Sequence, residues 1–470
     1  MIRHKLHILA LVCLTGCSTM APKYSQPAPP VPAEWIAASA DRNVAVKSVP
    51  QVADIPWQEF ITERKMQKLI ELALSNNRDL KVAALTVERY RSLYQIQRNE
   101  LLPRVDATAG ASLQQIPADL SGTGKSRTVE QYNIGLGVSS YELDLFGRVR
   151  SLKEQALEQY LSTGHAQRSV RISLVSQVAV AYLALAADRE HLQLAKETLA
   201  NQREAYKLVK SRFDAGITNQ LALNQAQTTV DSARVDIARF TTQVAQDENA
   251  LALLAGSALP AELLPDSLSG NYTALNDVSP GLSSEVLLKR PDILQAESQL
   301  KSANASIGAA EAALFPRITL VSSVGLGSDE LAGLFKGGAF AWSFAPRISL
   351  PIFDGGSNTA NLKVSEVDRD IAVARYEKAI QTAFREVADS LAQRATIDEQ
   401  LAAQKSLADA AEESCRLSQA RFDKGVDSYL TVLDSQRTLY GAQQNLITAR
   451  LTRLANMVTL YKALGGGTGR

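Results

Sequence analysis

The sequence predicts a membrane protein of mixed α/β class, built from very long helical hairpins and short two-faced strands. Three observations predict it. The motif Arg212-Phe213-Asp214-Ala215-Gly216 returns 209 residues later as Arg421-Phe422-Asp423-Lys424-Gly425. Large apolar residues recur every seven positions on both sides of the first motif. Four segments alternate apolar and polar side chains, the period of a strand whose two faces meet different surroundings.

The seven-residue step fixes the hairpins. Val178, Leu185, Leu192, Leu199, Tyr206 and Phe213 lead into the first motif, and Leu223, Val230, Ile237, Val244 and Leu251 lead out of it. A sustained step of seven is a period of 3.5, the seam of a coiled coil. The second copy reads Val387, Arg394, Leu401, Ala408, Cys415 and Phe422, then Val432, Leu439, Leu446, Arg453 and Leu460. Its first arm has lost most of its large residues. Gly216 and Gly425 sit where a helix ends in a left-handed cap. Thr218 and Asp427 are candidate N-caps for the returning helices. The tips are therefore 212–218 and 421–427. An unbroken helix from Arg148 to Phe213 would be on the order of 100 Å long.

The N-terminus has a basic start (Arg3, His4, Lys5), a short apolar run and then Leu14-Thr15-Gly16-Cys17. The run is far below the roughly 20 residues a helical span needs. It has the layout of a bacterial signal peptide, 1–16, ending in a lipobox, so Cys17 is the expected lipidation site. That covalent lipid is the only prosthetic group expected. Ser18, not Asp, follows it, which favours the outer membrane over the inner. Of the three cysteines only Cys415 is left over, so no intramolecular disulfide is expected; on the seam it reads as a small buried hydrophobe. Residues 17–62 are rich in Pro and Ala and read as an extended segment, docking near Ile55-Pro56-Trp57.

The first structural repeat is 63–256. A helical pattern from Glu63 is broken near Asn76-Asn77 and runs to Asn99. A β-hairpin over 103–146 follows, in which Val105, Ala107, Ala109 and Leu113, then Ile134, Leu136 and Val138, mark the apolar face. The stretch from Pro117 to Arg127 reads as its loop. An irregular connector, 257–281, separates this repeat from the second, 282–464. There Leu314-Phe315-Pro316-Arg317-Ile318 takes the place of Leu101-Leu102-Pro103-Arg104-Val105. The second hairpin, 316–353, puts Phe340, Trp342, Phe344 and Ile348 on one face, with Ser343, Arg347 and Ser349 on the other. A tail, 465–470, ends the chain.

Strands with an apolar outer and a polar, glycine-bearing inner face fit a transmembrane barrel. Four strands cannot close one, because the smallest such barrels have about 8 and open edges are forbidden in lipid. The chain must oligomerise. The pattern alone permits two, three or four copies. The helices carry charge throughout and stay out of the bilayer.

A formal charge of +1 argues against nucleic acid as a partner. No glycine-rich phosphate loop, metal-ligand constellation or nucleophile elbow appears, so the chain is not expected to be an enzyme or to hold a metal.

The chain is similar to the TolC-type outer membrane factor family, in its OprM-like lipoprotein branch. The lipobox, the paired tips, Tyr141-Glu142-Leu143-Asp144-Leu145-Phe146-Gly147-Arg148, Leu350-Pro351-Ile352-Phe353-Asp354-Gly355-Gly356 and Tyr429-Leu430-Thr431-Val432-Leu433-Asp434 carry the resemblance. It implies a homotrimer, with a 12-stranded transmembrane barrel continued by a helical periplasmic barrel. It implies a passive efflux duct for drugs and other small molecules, docked to a periplasmic adaptor and an inner-membrane RND-type pump. It also implies a periplasmic gate at Leu430 and Asp434; the first repeat has Leu221 and Gln225 in their place. Arg212, Asp214, Gly216, Arg421, Asp423 and Gly425 become the expected adaptor contacts. A duct for metal ions or secreted protein, and a channel-less periplasm-spanning lipoprotein, are the alternatives. Four strands at matched positions speak against the last.

Overall fold

The structure, a computed structural model, describes residues 19–35, 55–268, 272 and 284–467. The signal peptide, Cys17 and Ser18 lie outside the described residues, as does most of 269–283. After a single helical turn at Trp57–Phe60 the elements are α1 (Arg64–Asn76), α2 (Arg78–Asn99), β1 (Asp106–Ile116), β2 (Arg127–Leu143), α3 (Arg148–Asp214) and α4 (Gln220–Ala255). The second repeat gives α5 (Pro291–Ala312), β3 (Arg317–Ser328), β4 (Phe340–Ser349), α6 (Ser357–Asp423) and α7 (Tyr429–Ala463). The duplication is visible in lengths: α2 and α5 have 22 residues each, α3 and α6 have 67 each.

The chain forms two compact units. The first holds the start of the chain to Ala28, Thr86–Gly164 and Gln295–Glu377; the second holds Pro29–Leu85, His165–Leu294 and Lys378–Arg470.

The first unit contains one antiparallel sheet in the order β1-β2-β3-β4. Its register puts Ile134, Leu326 and Phe340 in one row, and Leu136, Val324 and Trp342 in another, so the apolar face is continuous across three strands. The opposite face carries Gly137, Ser323 and Ser343 in a row, with the two serine hydroxyls 2.7 Å apart. β2 begins at Arg127, earlier than its alternation suggests, because Arg127–Asn133 pairs fully with β1 despite weak hydrophobicity.

β2 also holds a bulge. Val138 pairs with Ser322 and Tyr141 with Leu320, so Ser139 and Ser140 together face Val321 alone. One extra residue resets the alternation. Tyr141 and Leu143 thereby join the apolar face, and Glu142 joins the polar one. Strict period-2 reading from Ile134 would have done the reverse. β1 and β4 are the two edges, and neither has an outer partner among the described residues.

Capping explains where the long helices start. The Asp144 carboxylate accepts from the N–H groups of Val149 (3.1 Å) and Arg150 (2.9 Å) at the head of α3. Asp354 accepts from Gly356 (2.9 Å) and Asn358 (2.8 Å) at the head of α6. Each satisfies donors that the first turn leaves free.

Residues 19–28 belong to the first unit and lie against α5. Asn304 donates to the carbonyl of Pro22 at 2.7 Å, and Gln26 to the Tyr376 hydroxyl at 2.9 Å. At Gly308 a Cβ would lie only 2.5 Å from the Ala21 nitrogen, so a side chain there would push the segment off. The sequence reading expected docking only near Trp57 and missed this earlier contact.

The core of the second unit gathers Met66, Leu69, Ile70, Val178, Tyr182 and Leu185, all essentially inaccessible. α3 contains the one stretch among the described helices long and apolar enough to cross a membrane, and 56% of it is buried inside the protein. Phe60 stacks on Tyr461 at 4.0 Å, and the Tyr461 hydroxyl donates to the Ile55 carbonyl at 2.6 Å. Trp35 stacks on Phe384 at 5.1 Å.

The seams pack as their period requires. Leu199, Val230 and Ala233 form a buried cluster closed by Tyr206 and Ile237. Its counterpart is Ala408, Ala411 and Ala442, closed by Leu439 and Leu446. Small residues on α6 thus face large ones on α7. The two seam arginines, Arg394 and Arg453, share the Asp398 carboxylate at 2.9 and 2.7 Å. Charge sharing replaces the missing apolar contact there.

Candidate functional site

Both tips are Schellman caps. Gly216 has φ +73°; its N–H donates to the Phe213 carbonyl at 2.9 Å, and that of Ile217 to the Arg212 carbonyl at 2.8 Å. Gly425 has φ +74°, with matching bonds from Gly425 to Phe422 (2.9 Å) and from Val426 to Arg421 (3.0 Å). The returning helices start one residue later than the sequence reading placed them. Asn219, not Thr218, caps α4 by accepting from Ala222 at 3.0 Å. Ser428, not Asp427, is the N-cap position of α7, without a side-chain bond. The reason is that Asp427 is engaged elsewhere.

The tips differ in charge pairing. Arg421 binds both carboxylate oxygens of Asp427, at 2.7 and 2.9 Å, which holds that carboxyl below its usual range. The first tip has Thr218 at that position. Arg212 instead lies over the Phe422 ring, 4.5 Å from its centre. Phe422 in turn contacts Tyr429 at 5.4 Å. Asp214 pairs with Lys210 at 3.2 Å, while Asp423 accepts from Gln419 at 2.8 Å. So Arg212 and Phe422 bring the two tips together, whereas Asp214 and Asp423 each stay on their own helix.

Leu430 and Asp434 lie one turn apart on α7, both exposed. Asp434 makes no ion pair among the described residues. Leu221 is equally open at 64% exposure, against 56% for Leu430.

Between tip and core, side-chain bonds tie the two hairpins. Gln202 on α3 donates to Gln436 on α7 at 3.0 Å, and Tyr440 on α7 donates to Asp236 on α4 at 3.0 Å. Asp236 also holds Arg239 at 2.9 Å. Further along, Asp188 on α3 meets Asp247 on α4. Burial, then the hydrogen bond and charge of Asp247, push the Asp188 carboxyl up to about 7. The neighbouring cations are taken: Arg189 by Glu248 (2.7 Å), Arg450 by Glu190 (2.7 Å) and Arg239 by Asp236. His191 is buried against Phe240, 4.9 Å between ring centres, and burial lowers its pKa. None of these groups lies on a seam. The one sequence signal was Asp188 closing the apolar run from Val178 to Ala187.

In the first unit the strand bases carry a charged recess of about 770 Å³, lined in part by Arg104, Glu142, Arg148 and Arg317.

Comparison with known proteins sets this architecture in a family. The family model described as outer membrane efflux protein matches residues 69–257 and 282–466, one match per repeat. The solvent efflux pump outer membrane protein SrpC of Pseudomonas putida is 48% identical over 467 residues, 98% of each chain. The antibiotic efflux pump outer membrane protein ArpC, also of Pseudomonas putida, is 48% identical over 455 residues, covering 97% of this chain and 93% of its own. The open state of the Neisseria gonorrhoeae MtrE outer membrane channel superposes with a TM-score of 0.86 at 39% identity, over 96% of this chain and 99% of that one. That is a family of efflux channels, not of enzymes. The chain belongs to the outer membrane efflux protein family and is an efflux channel of the outer membrane.

Proposed function

We propose that three copies of this chain close a passive duct through which solvents, antibiotics and similar small molecules leave the cell. The observation that carries the reading is the pair of open edges, β1 and β4, on a sheet with one lipid-like face. An unpaired edge is not tolerated in hydrocarbon, so β1 of one copy pairs with β4 of the next. Three copies give about twelve strands, enough for a lumen. The helices next to those edges support the same closure: Leu93 and Ile96 on α2, and Val364, Val367 and Ile371 on α6, are exposed apolar stripes. The cargo classes are those in the names of SrpC and ArpC.

In this reading a periplasmic adaptor contacts the tips around Gly216 and Gly425, and an inner-membrane pump of RND type drives transport. Leu430 and Asp434 form the gate, where three leucines and three carboxylates would ring one axis. Cys17 carries the lipid. Ala21 lies against Gly308, near the end of α5 and before β3 starts at Arg317.

Native mass measurement in detergent, together with single-channel recording, tests the duct. A trimer with discrete conductance is expected. A stable monomer in lipid, or a trimer that passes no ions, would refute it.

A further inference from the structure

The polar face of the sheet carries charges that membrane insertion does not require. Glu142, Thr319 and Arg347 form one row across β2, β3 and β4. Glu142 accepts from Arg148 at 2.7 Å and from Arg317 at 2.6 Å. Arg104 pairs with Asp106 at 2.8 Å, Arg150 takes Asp144 at 3.1 Å, and Glu100 holds Gln97 at 2.7 Å. At the strand bases, Arg104 is thus paired with Asp106, and Arg148 and Arg317 with Glu142. Arg347 is the residue with no hydrogen bond or ion pair among those described, and it is exposed. Its side of the strand is fixed by alternation: Phe344 and Ile348 hold the apolar face, and Arg347 shares the other with Ser343 and Ser349.

We propose that Arg347 is a specificity-determining residue of the duct. Resting on the trimeric reading, three guanidinium groups, each without a partner in its own chain, form a belt inside the barrel at the base of its strands. The belt attracts anionic solutes, such as carboxylate- or sulfonate-bearing small molecules, and slows cations. Low-dielectric walls around a narrow water path strengthen the effect of each charge. The belt opposes the carboxylate ring assigned to Asp434, so one duct carries two filters of opposite sign.

The test is reversal potential under a potassium chloride gradient, with the full-length protein in planar bilayers. The parent carries Leu430→Ala and Asp434→Ala, so that the barrel contributes to the resistance. Arg347→Gln should lower the chloride-to-potassium permeability ratio about twofold, and Arg347→Glu should lower it further. As a control for folding, Arg347→Cys in a Cys415→Ser background is modified on the assembled channel. A cationic thiol reagent should restore the ratio and an anionic one should depress it. A ratio unmoved by both substitutions and both reagents overturns the proposal while the duct stands. A parent without any current overturns the duct, and this proposal with it.

Discussion

The Tyr440 hydroxyl donates to the Asp236 carboxylate at 3.0 Å, tying the second helical hairpin to the first. Removing it by Tyr440→Phe should cost about 1 kcal/mol. Because the bond crosses between hairpins, the loss should also free the tip: mean conductance in bilayers should rise while the trimer persists. Unchanged conductance would mean that this contact does not restrain the channel.

At the gate, Leu430→Ala with Asp434→Ala should raise single-channel conductance roughly twofold or more and reduce cation preference. The matched control is Leu221→Ala with Gln225→Ala, which removes no charge and should do neither. Wild-type conductance in the first double variant would move the constriction elsewhere on the second hairpin.

Asp188 and His191 should pull the pH dependence of stability in opposite directions. Asp188 has a folded pKa of about 7, above its ordinary 3.8, so the contribution of its bound proton is fully present below 3.8 and is lost as pH rises from there through 7. His191 is shifted the other way: the fold keeps it neutral, and stability falls as pH drops below its ordinary value of 6.5. Asp188→Asn should stabilise the protein by roughly 1 kcal/mol at alkaline pH, after solvent screening, and leave acidic stability unchanged. Thermal melts across pH would show it; equal gains at both ends would contradict the shared proton.

Gly216→Ala or Gly425→Ala should each cost roughly 1–2 kcal/mol, since φ near +73° strains any side chain even though space around both is open. Local proteolysis at the tip should accelerate before global melting shifts. An adaptor-binding assay on the same variants tests whether the tips are the docking points.

Mass spectrometry of the mature N-terminus should find the lipid on Cys17. Cys17→Ser should leave trimers able to conduct, because the barrel itself anchors them. An unmodified Cys17 in wild type would end the lipoprotein assignment.

The heptads and strand alternation made the hairpins and sheet legible, because burial on one face repeats at a fixed period. Leu199, Val230 and Ile237 pack where a step of seven puts them. Periodicity says nothing about pairs that meet across 204 residues, such as Asp236 and Tyr440. It also failed at the caps. Asp427 has the right chemistry for a cap, but Arg421, six residues earlier, takes both its oxygens. Likewise, the repeat offset matched Arg212 with Arg421, yet the absent carboxylate at position 218 sends Arg212 onto Phe422. The gate pair was located by resemblance, and only its shared helix face follows from spacing.

The bulge at Ser139 and Ser140 gives β2 something like a reading frame. Deleting either serine would leave a single residue opposite Val321 and straighten the strand, with Tyr141 still toward lipid and Glu142 still bonded to Arg148 and Arg317. The bulge is slack in that frame: one residue can be lost there without turning any other side chain over. A single-codon deletion in β4, whose pairing with β3 is regular throughout, has no such slack and inverts every side chain beyond it.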